Sequence, residues 1–90
     1  MIFMVVEYFR NGDAHPVYRR FRDQGRLAPP DVTYVASWVS ADLTRCYQIM
    51  DAADRTRLEA WTANWDDLVE FEIVPVITSA EALAAIGPSL

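Results

Sequence analysis

Glu7 is the one carboxylate in a nearly unbroken apolar run from Ile2 to Phe9. Burial of a carboxyl group disfavours its charged form and raises its pKa toward the range that is useful for proton transfer. Glu7 is therefore the first candidate for a catalytic acid or base. The structural alternative is a carboxylate at an exposed strand end, in water or beside an arginine.

Two β-prone segments further along the chain carry side chains that suit a small-molecule ligand. Gln48 lies between Tyr47 and Ile49, and a buried amide there needs hydrogen-bond partners, which a ligand or neighbouring protein groups can supply. Trp38 offers a flat apolar surface and one N–H donor, which suits a planar ligand. Packing of Trp38 in the core or in a dimer interface is the alternative. We name Trp38, Tyr47 and Gln48 as candidate ligand-binding residues.

The chain has one histidine and one cysteine, and each has a functional and a structural interpretation. His15 is a candidate ligand-binding residue or general base if its loop closes over a pocket, whereas a histidine at a helix start is ordinarily exposed to solvent. Cys46 is a nucleophile only if a nearby base generates its thiolate, and a buried, unreactive thiol is the alternative.

Composition and charge exclude several kinds of site and partner. One cysteine is too few for a disulfide within the chain or for a cysteine-based metal cluster, and the isolated glycines form no phosphate-binding loop. We therefore predict no metal and no cofactor. The net charge of −5 argues against nucleic acid, and the apolar start is much shorter than the roughly 20 residues of a membrane span. We expect a soluble, cytoplasmic protein with no nucleic-acid or membrane partner.

The apolar patterns that position these residues predict four strands and three helices. The predicted strands are Ile2 to Phe9, Val32 to Val39, Arg45 to Met50 and Val69 to Ile77. The predicted helices run from about Ala14 to Arg26, from about Ala53 to Asp67, and from after Thr78 to about Ile86. This order is that of a ferredoxin-like βαββαβ fold with a short C-terminal helix. We predict one α+β domain over residues 1–90.

Specific residues mark the helix starts and the buried helix face. Asp13 is a good N-cap for the first helix. Thr78 and Glu81 match a capping box at the start of the last helix. Val17 and Phe21, four residues apart, are the expected buried positions of the first helix.

The strand patterns predict a sheet with two apolar faces. In a sheet with one solvated face, apolar and polar residues alternate. The segments Ile2 to Val6 and Val35 to Val39 instead carry apolar residues at successive positions. Two helices have difficulty covering both faces, so one face would expose a large apolar surface. We predict a homodimer in which sheet packs against sheet.

Four segments of the chain are recognisable when taken in order. They are Met4-Val5-Val6-Glu7, Tyr34-Val35-Ala36-Ser37-Trp38, Arg45-Cys46-Tyr47-Gln48-Ile49-Met50, and Trp65-Asp66-Asp67-Leu68-Val69 continuing through Val74-Pro75-Val76. Together they resemble the bacterial family catalogued as domain of unknown function 3303. The resemblance spans Met1 to about Glu81 and implies no particular activity.

More distantly, the layout resembles the ferredoxin-like dimeric α/β-barrel group. That group includes cofactor-free monooxygenases, muconolactone isomerase-like enzymes, haem-degrading proteins and ligand-sensing domains. The likeness is one of fold, and it implies that chemistry would lie in a cavity between the sheet and the helices.

Two hypotheses for function follow. In the first, a homodimer binds a small, mostly apolar organic molecule and catalyses a cofactor-free oxygenation or isomerisation, with Glu7, Gln48 and Trp38 lining the pocket. In the second, the protein is a non-catalytic ligand-binding or protein-interaction module in which these residues only pack. A cavity of about 300 Å³ or more reached by Glu7 and Gln48 would favour the first. A cavity filled by Trp38 and Tyr47 would favour the second.

Overall fold

The computed structural model describes residues 1–90 and contains the predicted order of strands and helices. The strands are β1 (Ile2–Phe9), β2 (Thr33–Val39), β3 (Arg45–Asp51) and β4 (Val69–Val76). The α-helices are α1 (His15–Gln24), α2 (Arg55–Thr62) and α3 (Ser79–Ile86), with 3-10 turns at Arg10–Gly12 and Gly87–Ser89. The predicted α+β fold class is confirmed.

The four strands form one antiparallel sheet in the order β2-β3-β1-β4. β1 therefore lies inside the sheet, between β3 and β4. The α1 connection joins β1 to β2 across β3, and the α2 connection joins β3 to β4 across β1. Two such split connections are consistent with a ferredoxin-like fold.

The hydrophobic core lies between one face of the sheet and the helices α1 and α2. Val5 on β1 and Met50 on β3 are fully buried and belong to the same cluster as Val17 of α1 and Leu58 of α2. Because both helices contribute to one cluster, they pack on the same side of the sheet, which we call the covered face. On β1 this face carries Phe3, Val5, Glu7 and Phe9.

The prediction of the capping residues is confirmed for α3 and wrong for α1. Thr78 and Glu81 form the predicted capping box, in which each side chain accepts a hydrogen bond from the other residue's backbone N–H. Asp13 accepts a hydrogen bond from the backbone N–H of His15 at 3.0 Å. The N-cap position itself, however, is Ala14, which has no side-chain acceptor. The prediction of Asp13 as the N-cap was therefore wrong by one position.

Both α1 and α2 are shorter than predicted. α2 begins after Asp54, whose carboxylate accepts a hydrogen bond from a backbone N–H of the first turn, and a series of turns follows its end at Thr62. α1 stops at Gly25, whose φ of 73° is a conformation that glycine adopts without strain. Val17 is buried as predicted, but the prediction of a buried Phe21 was wrong. Phe21 is 42% exposed because it borders a cavity instead of packing into the core.

The opposite side of the sheet contributes no residue to the core cluster, and we call it the open face. Trp38 on this face is 61% exposed. The strand register places apolar residues side by side across it: Ile2, Met4, Val6, Tyr8, Ala36, Trp38, Tyr47, Ile49, Val74 and Val76. Apolar residues thus occupy both faces of β1, as the sequence predicted.

α3 has no buried residue although it is mostly apolar. Apart from Ser79 and Glu81 its residues are alanine, leucine and isoleucine, and a helix that is apolar on all sides is normally packed against other structure. Leu83 and Ile86 are exposed. α3 therefore presents a second apolar surface.

None of the three helices has both the length and the apolar character that a bilayer crossing requires.

Candidate functional site

Glu7 lies on the covered face of β1 and is 6% exposed. In the sheet, Cys46 of β3 and Phe71 of β4 are directly opposite it, and opposite residues of adjacent strands share a face. A thiol and a phenyl ring cannot compensate the charge of a buried carboxylate. Glu7 is therefore not an exposed strand-end carboxylate, and its polar partner comes from another position.

Gln48 is that partner, and it links Glu7 to Arg26. The side-chain NH2 of Gln48 donates to the Glu7 carboxylate, and the Arg26 guanidinium donates to the side-chain carbonyl oxygen of Gln48. Because a guanidinium only donates and an ionised carboxylate only accepts, one orientation of the Gln48 amide satisfies both neighbours. The three side chains form a hydrogen-bonded chain along the covered face.

Two tryptophans fix the position of Arg26. The indole N–H groups of Trp61 and Trp65 donate to the backbone carbonyl oxygen of Arg26 at 3.0 and 2.9 Å. The Arg26 guanidinium carbon lies 3.8 Å from the ring centroid of Tyr34 and 5.3 Å from that of Phe21, which are cation–π distances. Backbone and side chain of Arg26 are thus both held by aromatic residues.

A cavity of about 210 Å³ lies between the covered face and α1, and we call it the Glu7 cavity. Its charged and amide groups are those of Glu7, Gln48 and Arg26. Glu7 and Gln48 both reach the cavity, but its volume does not meet the criterion of about 300 Å³ that would favour the first hypothesis; it is above the roughly 150 Å³ that can hold benzene. A molecule with one ring therefore fits. The apolar and aromatic lining consists of Phe9, Val17, Tyr18, Phe21, Val39, Trp61 and Trp65, with Ser37 and Cys46 beside them.

Burial raises the pKa of Glu7 from its ordinary 4.5 to about 7. The hydrogen bond from Gln48 and the charge of Arg26 both lower this pKa, but by less than burial raises it. Protonated and ionised forms are consequently both populated near neutral pH. A carboxyl group in that state can remove a proton from a bound molecule or return one.

Cys46 borders the Glu7 cavity as a neutral thiol. Burial and the neighbouring Glu7 carboxyl raise the pKa of Cys46 to about 12. The thiolate is the nucleophilic form of cysteine, and His15 does not line this cavity. Of the two interpretations of Cys46, the geometry favours the buried, unreactive thiol.

His15 lies outside the Glu7 cavity. Its side chain is 83% exposed, and its Nδ1 is 2.7 Å from Oδ1 of Asp13. It borders a separate surface depression together with Ala14, Tyr18 and Leu43. The structure therefore does not bring His15 together with Glu7.

Trp38 and Tyr47 lie on the open face, where they are directly opposite each other in β2 and β3. The Glu7 cavity is on the covered face, so neither residue borders or fills it. The sequence-based grouping of Glu7, Gln48 and Trp38 thus separates into two surfaces. Glu7 and Gln48 meet in the cavity, whereas Trp38 lies on the opposite face of the sheet.

Arg26 and Tyr34 belong to the site, and the sequence analysis missed both. Arg26 stands at the end of the first predicted helix, where an exposed charge is the usual expectation. The one nearby sequence signal that Arg26 lies outside the helix was Gly25, which ends α1 and redirects the chain. Nothing near Arg26 in the sequence indicates that Trp61 and Trp65 reach its carbonyl oxygen.

The polar groups of the site suit an organic ligand. No three His, Cys, Asp or Glu side chains are grouped so that they could hold a metal ion. The Glu7 cavity offers a ligand one carboxyl, one amide and one guanidinium, together with the polar side chains of Tyr18, Ser37 and Cys46.

Comparison with family models gives a match over the whole chain. The family described as Domain of unknown function (DUF3303) matches residues 1–90. No curated protein and no solved structure matches the chain.

Proposed function

The chain belongs to the DUF3303 family, as the sequence predicted, and we propose that its Glu7 cavity binds a small, mostly apolar organic molecule with which Glu7 exchanges a proton. One observation carries the proposal: the buried carboxyl group of Glu7, whose pKa burial raises to about 7, forms part of the wall of a mostly apolar cavity. Perturbed titratable groups that face a cavity are common at functional sites.

Proton transfer by Glu7 would isomerise an enolisable carbonyl compound. The Glu7 carboxylate takes a proton from a carbon next to the carbonyl, which gives an enolate and a protonated Glu7. When the carbonyl compound is β,γ-unsaturated, the enolate extends over the double bond, and protonated Glu7 returns the proton to the γ carbon, so that the double bond moves and no atom or electron is gained or lost. If the enolate instead met dioxygen, the same first step would begin a cofactor-free oxygenation.

Binding is tested with benzamide, a neutral one-ring molecule, and 15N-labelled protein. The chain has three tryptophans, of which Trp61 and Trp65 line the cavity and Trp38 lies on the open face. We expect benzamide to shift the indole N–H signals of Trp61 and Trp65 and to leave that of Trp38 in place. Unchanged signals of the two cavity tryptophans at millimolar benzamide would contradict the proposal.

Catalysis is tested with phenylacetaldehyde in D2O, by following deuterium incorporation next to the carbonyl. We expect the protein to accelerate this exchange and Glu7→Gln to remove the acceleration. Glu72→Gln is the matched control, because Glu72 is a strand carboxylate on the open face that accepts a hydrogen bond from Tyr8. Binding without accelerated exchange would favour the second hypothesis, a ligand-binding module without catalysis.

We further propose that the protein is a homodimer whose two open faces pack against each other. The apolar surface of the open face supports this, and so does its charge distribution. Arg45 and Glu70 flank Tyr8 in one row across the sheet. A two-fold axis parallel to the strands turns the Arg45 side of one copy toward the Glu70 side of the other, so opposite charges meet at this end of the strands. The other rows, which are mostly apolar but include Glu72 and Asp51, then meet each other.

α3 supports a larger interface than the sheet alone provides. Four strands of about eight residues cover a flat area of roughly 500 Å², whereas a standard interface buries about 800 Å² per partner. The exposed Leu83 and Ile86 of α3 are a further apolar surface of the chain. We therefore include α3 in the proposed dimer interface.

A further inference from the structure

We infer that the ligand of the Glu7 cavity is an anion: a planar one-ring molecule whose carboxylate or equivalent oxyanion binds the Arg26 guanidinium. The inference rests on the proposed function of the cavity and adds the chemical class of its ligand. It is carried by the surroundings of Arg26.

Arg26 is the one arginine of the chain that is withdrawn from solvent without a carboxylate partner. Of the eight arginines, all but Arg20 and Arg26 are exposed. Arg20 donates to both carboxylate oxygens of Asp67 at 2.7 Å. No ion pair within 4.0 Å includes Arg26. A partly buried charge normally has a counterion, and Glu7, whose charge acts on Arg26, is linked to it only through Gln48.

The guanidinium of Arg26 also has unused hydrogen-bond donors. An arginine side chain has five N–H donors, and the one side-chain hydrogen bond of Arg26 goes to Gln48. The rings of Tyr34 and Phe21 contact the guanidinium through their faces and accept no conventional hydrogen bond. The other N–H groups remain for a planar acceptor, and a carboxylate matches the fork of a guanidinium with two parallel hydrogen bonds.

The aromatic part of the cavity can accommodate the ring of such a ligand. Arg26, Trp61 and Trp65 all line the Glu7 cavity, and the two indoles bind the backbone of Arg26. A ring in contact with the indoles and a carboxylate at the guanidinium would therefore occupy the same cavity. Held by Tyr34, the Arg26 side chain loses less freedom on binding than a mobile arginine would.

The charge of the cavity makes anion binding depend on pH. The titratable groups that face it are Glu7 from β1, Cys46 from β3, Tyr18 from α1 and Arg26 from the loop after α1. Burial raises the pKa of Tyr18 above its ordinary 10 and that of Cys46 to about 12, so both are neutral near pH 7. Glu7 alone changes charge in this range. Ionised Glu7 repels an anion, and protonated Glu7 leaves the positive charge of Arg26 uncompensated.

Benzoate and benzamide form the test pair, because they share a ring and a planar substituent and differ in charge. Affinities are measured from the indole N–H signals of Trp61 and Trp65. At about pH 6 we expect benzoate to bind at least ten-fold more tightly than benzamide, as a charge-assisted pair of hydrogen bonds supplies this much. From about pH 6 to about pH 8 the protonated fraction of a group with a pKa of about 7 falls from about 0.9 to about 0.1, so benzoate affinity should fall about ten-fold.

Arg26→Met tests the residue itself, because methionine keeps an apolar stem without donors. We expect it to remove the preference for benzoate, so that benzoate affinity falls about ten-fold more than benzamide affinity does. Arg19→Met, which removes an exposed arginine of α1, should leave the preference intact. Arg26→Lys keeps the charge without the planar fork and should give an intermediate preference. If Arg26→Met does not fold, Arg26→Lys takes its place as the test variant.

The outcomes separate the inference from the proposed function. Equal affinities for benzoate and benzamide in the unaltered protein, or a preference that survives both Arg26 variants, would overturn the inference and leave the cavity as a site for neutral molecules. Binding of neither compound would overturn the proposed function together with the inference. Tighter benzoate binding that depends on Arg26 and weakens as pH rises supports both.

Discussion

Gln48 and Glu7 are hydrogen-bonded diagonally across two neighbouring strands. Glu7 of β1 is directly opposite Cys46 of β3, while Gln48 is opposite Val5. Diagonal neighbours on one face of a sheet are within reach of long side chains. This offset places the carboxyl in the wall of the Glu7 cavity and puts the Gln48 amide between it and the charge of Arg26.

Glu7→Gln should change how stability depends on pH. The folded-state pKa of Glu7, about 7, is raised above the ordinary 4.5, so the folded chain holds this proton more tightly than the unfolded chain. Its contribution is fully present below pH 4.5 and is lost as pH rises through about 7, at a cost of up to about 3 kcal/mol. Denaturant unfolding between about pH 5 and pH 8 should show this loss in the unaltered protein and not in Glu7→Gln. A parallel decline in both proteins would mean that Glu7 is not the titrating group.

Gln48→Met should destabilise the protein at neutral pH by about 1 to 3 kcal/mol, the usual cost of leaving buried polar groups without partners. Methionine fills a similar volume but neither donates to Glu7 nor accepts from Arg26. Gln24→Met is the control, because Gln24 is exposed at the end of α1. The free energy of unfolding from urea titrations is the measurement. Equal small effects of the two substitutions would show that the bridge through Gln48 contributes no stability.

Trp61 and Trp65 should act together on Arg26. Each indole donates to the same carbonyl oxygen, so loss of one donor leaves the oxygen bonded and loss of both leaves it without a partner. Trp61→Phe and Trp65→Phe should therefore be non-additive in a double-mutant cycle, with the double variant about 1 kcal/mol less stable than the sum predicts. Additivity to within about 0.5 kcal/mol would contradict this shared role.

The proposed dimer should dissociate when charge is placed among the apolar residues of the open face. Trp38→Asp introduces a carboxylate where two apolar sheets are proposed to meet, and burial of such a charge costs several kcal/mol. Leu43→Asp is the control, because Leu43 is an exposed apolar residue of the β2–β3 loop outside the open face. Native mass spectrometry at micromolar concentration should show dimers for the unaltered protein and Leu43→Asp, and monomers for Trp38→Asp. A monomeric unaltered protein would contradict the proposal.

Much of the architecture followed from signals within a few residues of one another. The apolar run of β1 predicts an interior strand, and β1 pairs on both sides. The capping box of Thr78 and Glu81 depends on residues three apart, and it forms as predicted. The exposed side of Phe21 was not predictable, because a helical repeat shows which positions face the sheet but not where the packing leaves a cavity.

The site depends on contacts between distant parts of the chain. The indoles that hold Arg26 come from residues 35 and 39 positions further along. The placement of Trp38 depends on a β-bulge between Tyr34 and Ala36 in the pairing of β2 with β3. One extra residue exchanges the two faces for every residue that follows it. A simple alternation pattern therefore could not place Trp38 on the open face and Glu7 on the covered one.

Titration of the Glu7 side chain by 13C NMR tests the central claim most directly. The carboxyl carbon of Glu7, assigned by its absence from the spectrum of Glu7→Gln, should titrate with a midpoint near pH 7, because burial outweighs the effects of Gln48 and Arg26. Saturating benzoate should move this midpoint upward, since a bound anion favours the protonated carboxyl. A midpoint near the ordinary 4.5, unchanged by benzoate, would show that Glu7 is an ordinary carboxylate and would contradict the account.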